Sequence, residues 1–247
     1  GTDAARADLD FRAAREALDA ARSAGMPEWR LLTRRGEILF AEEDFLAATK
    51  AFDKAEELAP EEVEPLLDRA EIWRTQFLLE EDKAYLLQAE HDLRRAAAVA
   101  PGDPRVLARL GETLVFGQKP GDAFPWLQKA VLADPSQVTA RKLLADLAIR
   151  AGRSHLEKCA GGTAALVQQE LAEARSAAER AVALDPPSPD ALIFLGDVLR
   201  AQGDWKSPIA KYEFARERFP DSAAPRDAIA KFHMDRGHFC LLYKKRT

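Results

Sequence analysis

Two cysteines in 247 residues, Cys159 and Cys240, are too few and too far apart for a disulfide framework or a clustered metal–thiolate site, and they fit a reducing, cytoplasmic setting. The chain has no apolar run near the roughly 18 to 20 residues that a membrane-spanning helix requires. Basic excess is missing too. A net charge of −5 and a pI near 5.6 offer no footprint for a phosphate backbone, so nucleic acid is not an expected partner. There is no Gly-rich phosphate loop, no Gly-x-Ser-x-Gly elbow and no His-Glu-x-x-His helix. The histidines His91, His155, His233 and His238 are scattered. His155 and Cys159 share a helical spacing, but zinc needs three or four ligands meeting at one point. No catalytic residue, metal or cofactor is therefore expected. An initiator Met and a charged-then-apolar leader are also lacking at Gly1-Thr2, so the chain is read as excised from something longer or processed.

What is present is a chain 47% apolar and 31% charged, with only 13 Gly and 14 Pro. Ala, Leu, Arg and Glu dominate, which favours helix throughout. The stretch from Pro104 to Pro135 sets the pattern. Leu107, Leu110 and Leu114 lie on one helical face, Gly117 to Gly121 break it, and Leu127 and Ala130 mark a second helix closed by Pro135. The same hairpin recurs along the chain. The expected units are a half repeat over 4–25, repeats over 29–60, 63–101, 104–135, 138–186 and 189–220, and an incomplete repeat over 223–247, all in one domain. A small residue on the first helix falls at Gly36, Ala70, Gly111, Ala145, Gly196 and Ala230, at intervals of 34, 41, 34, 51 and 34. The closing prolines Pro60, Pro101, Pro135, Pro186 and Pro220 are spaced by 41, 34, 51 and 34. Two columns thus agree on one period and on insertions of 7 and 17 residues. Small residues are needed where paired helices cross, and Ala55, Ala96, Ala130, Ala181 and Ala215 serve that need on the second helices.

Leu110, Gly111, Leu114, Ala123, Leu127, Ala130 and Pro135 together resemble the tetratricopeptide repeat. The resemblance implies an all-α, right-handed superhelical solenoid of antiparallel helix hairpins, here of about five full repeats plus terminal halves. It also implies a non-enzymatic scaffold that binds a protein or peptide along its concave face. Departures from the pattern predict local adjustments. Pro208 replaces an Ala, and Ser207 is expected to cap a helix that starts there. Pro125 is expected in the first turn after Asp122. Both insertions fall between the helices of their repeats. Thr75 to Gln88 is read as two lengthened, paired helices, and Arg153 to Glu170 as a short helix and a long one split at Gly161-Gly162. Trp29, Trp73, Trp126 and Trp205 are expected to pack between helices.

The residues that follow the small column are Glu37, Glu71, Glu112, Asp146 and Asp197, broken only by Lys231 in the last repeat. An acidic column along a groove attracts a Lys/Arg-rich segment. Each acid also has a base a helical turn or so away, in Arg34, Arg74, Arg109, Lys142 with Arg150, and Arg200, so a solvated ladder of ion pairs is the competing reading. None of the five is Asn, which argues against the clamp by which related co-chaperones hold a C-terminal carboxylate. The insertions offer a second surface through Phe77, Tyr85, Leu166 and Val167, which either form a satellite cluster with Leu156 or wall a partner site. They would also suit an assembly or regulatory domain of a larger enzyme. After Gly237 a second, unfinished helix is expected, with Phe239, Leu241, Leu242 and Tyr243 covering the last repeat and Lys244, Lys245 and Arg246 as a solvated tail. Open terminal repeats are expected to allow self-association.

Overall fold

Five helices start where an acceptor side chain precedes an apolar stretch. Asp44, Asp82, Asp103, Thr163 and Ser188 each accept from a backbone N–H of the turn that follows, satisfying donors that a helix start leaves free. The computed structural model describes residues 2–184 and 188–244, and among these every regular element is a helix. In order they are α1 (Thr2–Ser23), α2 (Glu28–Ala41), α3 (Phe45–Leu58), α4 (Glu64–Glu80), α5 (Lys83–Val99), α6 (Pro104–Phe116), α7 (Pro120–Ala133), α8 (Val138–Lys158), α9 (Ala164–Ala183), α10 (Pro189–Ala201), α11 (Ser207–Arg218) and α12 (Ala224–Lys244). They fall into two compact units, residues 1–137 and 138–247.

In the first unit each helix packs on the next, giving the hairpins α2/α3, α4/α5 and α6/α7 behind α1. The first helices α2, α4 and α6 also touch one another as a layer. The small column explains how closely the hairpins pair. A Cβ added to Gly36 would lie 2.6 Å from the Phe52 ring, and one on Gly111 would lie 2.5 Å from Leu127 Cγ. Opposite them Ala55, Ala96 and Ala130 are fully buried. The turns inside these hairpins place Glu43, Glu81 and Gln118 at φ 63°, 57° and 58°, a left-handed conformation in which a side chain is strained. One polar group lies deep. Arg69 of α4 reaches Asp92 of α5 and, on α3, Asp53 at 2.6 Å and Glu56 at 2.9 Å, while the Trp73 indole donates to Asp92 at 3.0 Å. It joins two hairpins.

In the second unit α8 pairs with α9 and α10 with α11, while α8 and α12 both lie against α10. Gly196 faces the Tyr212 ring as Gly36 faces Phe52. The fourth hairpin differs, because Ala145 and Ala178 are both small. There the Phe194 ring crosses from α10 to within 2.6 Å of where a Cβ on Gly152 would be, joining the core of Ala148, Ala174, Ala178 and Val198.

Several expectations need correction. The second insertion contains no separate short helix, because α8 runs 21 residues and α9 runs 20, both long, with Gly161 at φ 79° in the turn. Helix α12 passes through Gly237 unbroken to Lys244, so no second helix begins there, and Ala230 is exposed on it. Pro125 sits inside α7 rather than in its first turn, since Pro120 starts the helix earlier with a preset φ. Ser207 is the first residue of α11 rather than its cap. Asp204 instead accepts from the N–H groups of Lys206 and Ser207 at 2.8 and 3.0 Å. Pro186, Lys245 and Arg246 lie outside the described residues, as do the side chains of Leu242, Tyr243 and Lys244.

Candidate functional site

The small residue of each first helix points into its own hairpin, so its neighbour turns about a quarter of the way round the helix. In the first unit this puts Glu37, Glu71 and Glu112 on the layer formed by α2, α4 and α6. Their charges interlock. Arg34 holds Glu37 at 2.5 Å, and Arg74 holds Glu71. Arg109 bridges two repeats, at 3.2 Å from Glu71 and 3.5 Å from Glu112. Glu112 is buried, and that burial pushes its carboxyl up against the pull of Arg109 and Arg74. Asp68 lies on the same side of α4, one turn before Glu71. Burial, helped by the Glu37 charge, pushes it up to about 6. Arg105 pairs with Asp103 at 2.7 Å and reaches Glu64 at 3.5 Å. Six carboxylates (Glu37, Glu64, Asp68, Glu71, Asp103, Glu112) thus share four guanidinium groups (Arg34, Arg74, Arg105, Arg109). Beside them a cleft of about 290 Å³ opens between Trp29, Arg30, Arg34, Glu37 and Glu64.

In the second unit Asp146 is exposed and forms no ion pair with Lys142 or Arg150. Burial pushes its carboxyl up, and the Arg150 charge pulls the other way without a direct contact. Asp197 is better held. It accepts from the Tyr212 hydroxyl at 2.9 Å and from Arg200 at 3.4 Å, and Arg200 is also bound by Asp235 of α12. Trp205 stacks on Phe239 with ring centres 5.2 Å apart. A cleft of about 470 Å³ lies against this group and is also lined by Val167.

The two insertions behave differently. At the tip of α4/α5, Tyr85 stacks on Trp73 at 6.2 Å and donates to Glu80 at 3.1 Å, while Phe77 is half-buried. Beyond them Leu78, Leu79 and Leu87 are 57, 66 and 60% exposed, so this tip shows apolar surface. On α8/α9, Leu166 is exposed, and His155 Nδ1 lies 2.5 Å from Glu170, tying the two long helices together.

Sequence reasoning missed Arg69, Asp92, Asp68 and Asp235. The available signal was positional: Asp92 lies between Ala89 and Leu93, which face inward, and Arg69 immediately precedes Ala70 of the small column. Among the described residues no group of three or more His, Cys, Asp or Glu could hold a metal ion. Likewise, no helix there is long and apolar enough to cross a membrane.

A family model described as tetratricopeptide repeat matches residues 3–63 and 159–223, together just over half of the chain. No curated protein matches by sequence. Among solved structures, the fold is similar to YrrB, described as a TPR protein with an unusual peptide-binding site. The TM-score is 0.59 at 18% identity, over 86% of this chain and 97% of that one. It is also similar to MamA, with a TM-score of 0.56 at 17% identity over 80% of this chain and 94% of that one. A fragment of MamA from Desulfovibrio magneticus RS-1 gives 0.53 at 16% identity over 80% and 98%.

Proposed function

The chain belongs to the tetratricopeptide repeat family, and from that premise we propose that it is a protein-interaction scaffold without chemistry of its own. It holds a partner segment containing Lys or Arg against the layer of α2, α4 and α6. The observation that carries this reading is the bridging of adjacent repeats by Arg109, within a lattice where carboxylates outnumber guanidinium groups. The unfinished charge balance favours an incoming cation, and the exposed pairs Arg34–Glu37 and Arg105–Glu64 are exchangeable at little cost. The peptide-binding site named for YrrB, a protein of similar fold, is consistent with it.

The test is fluorescence anisotropy with labelled peptides that alternate Ala with Lys, Ser or Glu. The Lys peptide should bind best and weaken in high salt. Glu37→Gln combined with Glu71→Gln should reduce its affinity about tenfold with unchanged helicity. Equal binding of the Lys and Glu peptides sinks the electrostatic reading. A second reading is favoured by the exposed Leu78, Leu79 and Leu87: an assembly domain of a larger enzyme, docking through its extended hairpins. In that case Leu79→Ser and Leu87→Ser, rather than the acid substitutions, would release the partner.

A further inference from the structure

The long α8/α9 hairpin forms one wall of the 470 Å³ cleft, and that volume lies within the range of about 300 to 1,000 Å³ usual for ligand-sized sites. Leu156 from α8 and Val167 and Leu171 from α9 make this wall apolar. Residues 156 and 167 belong to the 17-residue insertion region, so the insertion contributes to this wall. Trp205 adds a further apolar surface to the lining. It is stacked on Phe239 and lies 6.1 Å from the Phe232 ring, and Phe232 is itself buried against Tyr212. An indole held on this packing is pre-organised, which lowers the ordering cost of binding.

The polar part of the cleft is asymmetric. The Arg200 side chain is only 20% exposed, whereas its partners Asp197 and Asp235 are 37% and 40% exposed. The cation is recessed and the two carboxylates stand proud, so the cleft presents negative charge to whatever enters. Each carboxylate keeps acceptor capacity that Arg200 and Tyr212 do not use.

We propose that this cleft seats a segment of a partner protein in which a large aliphatic side chain lies beside a Lys or Arg. The aliphatic group enters between Leu156, Leu171 and Trp205, and the cation reaches Asp197 and Asp235. Charge complementarity selects this occupant over an acidic one. The proposal rests on the scaffold reading but not on the acidic layer of the first unit.

The cleft carries its own reporter. Cys159 lines it as a free, half-buried thiol, and the free thiol of Cys240 is exposed and not part of the lining, so it serves as an internal control. The probe is the capped peptide Ala-Arg-Leu-Leu-Arg-Ala, with controls in which Glu replaces Arg or Ser replaces Leu. Iodoacetamide labelling of the full chain is read by mass spectrometry. The Arg/Leu peptide should slow labelling of Cys159 about fivefold or more and leave Cys240 unaffected, while neither control protects. Leu171→Ala and Asp235→Asn should each weaken the affinity of the Arg/Leu peptide about tenfold and so remove most of the protection at the same peptide concentration. Equal protection by the Glu peptide, or none by the Arg/Leu peptide, overturns the proposal. If anisotropy shows that peptide bound while Cys159 stays reactive, the cleft is excluded and the scaffold reading stands. Protection that survives Glu37→Gln with Glu71→Gln upholds the cleft whatever becomes of the first unit's acidic face.

Discussion

The Arg69 guanidinium donates to both carboxylate oxygens of Asp92, at 2.8 and 2.7 Å, with both side chains buried. Breaking one partner leaves the other charge uncompensated away from water, which typically costs about 3 to 5 kcal/mol. Arg69→Met should therefore lower unfolding free energy by about 3 kcal/mol in urea. Adding Asp92→Leu should recover much of the loss. A cost below about 1 kcal/mol for Arg69→Met would mean that the bidentate pair is not desolvated as described.

Asp68 supplies a pH signature. Its folded pKa, about 6, lies above the unreacted value of 3.8, so the native state holds the proton more tightly than the unfolded chain. Stability should fall as pH rises from about 3.8 to 6, with the penalty complete above that window. Asp68→Asn should stabilise at neutral pH by roughly 1 to 2 kcal/mol, after allowance for solvent screening. The advantage should shrink through the same window and vanish in stronger acid. A pH-independent difference between variant and parent would contradict this.

Two glycines should respond oppositely to the same change. At Gly196 an added methyl meets the Tyr212 ring, so Gly196→Ala should cost about 1 to 3 kcal/mol through overpacking. At Gly237 nothing lies within 4 Å and the backbone is helical. Gly237→Ala should raise stability by up to about 1 kcal/mol. Thermal unfolding of both variants checks the pair, and a destabilised Gly237→Ala would argue against an unbroken α12.

The hairpin turns give a third contrast. Glu43 and Gln118 occupy the left-handed region at φ 63° and 58°, where Gly203 lies at φ 85° in its own hairpin. Glu43→Gly and Gln118→Gly should each stabilise by about 0.5 kcal/mol, and Gly203→Ala should cost about 1 kcal/mol. Measured midpoints moving the other way would show that these turns relax.

The repeat architecture was legible because one column of small residues and one of prolines carry it. Gly36, Gly111 and Gly196 are small for a reason that spacing alone expresses, since Phe52, Leu127 and Tyr212 press on them. Gly152 escaped notice because its partner Phe194 comes from the next hairpin, and no in-hairpin period relates the two. The acids were legible as a column, but a helical period fixes only neighbours within one helix. It could not show that Arg109 would join Glu71 to Glu112. Arg69 was hidden for another reason. Residue type does not announce burial, and a guanidinium surrounded by three carboxylates looks in one dimension like any surface arginine.

The helix lengths carry one more consequence. Helices α4 and α5 have 17 residues each, against 13 and 14 in α6 and α7, so the first insertion lengthens each arm by about one turn. Helices α8 and α9, with 21 and 20, lengthen by about two. Growth is quantised, because an antiparallel pair stays closed only if both arms rise in step. Each quantum carries the tip about 5.4 Å farther while the crossing point below stays put. The hairpins therefore act as adjustable struts, whose reach can change without renegotiating the interfaces at their base.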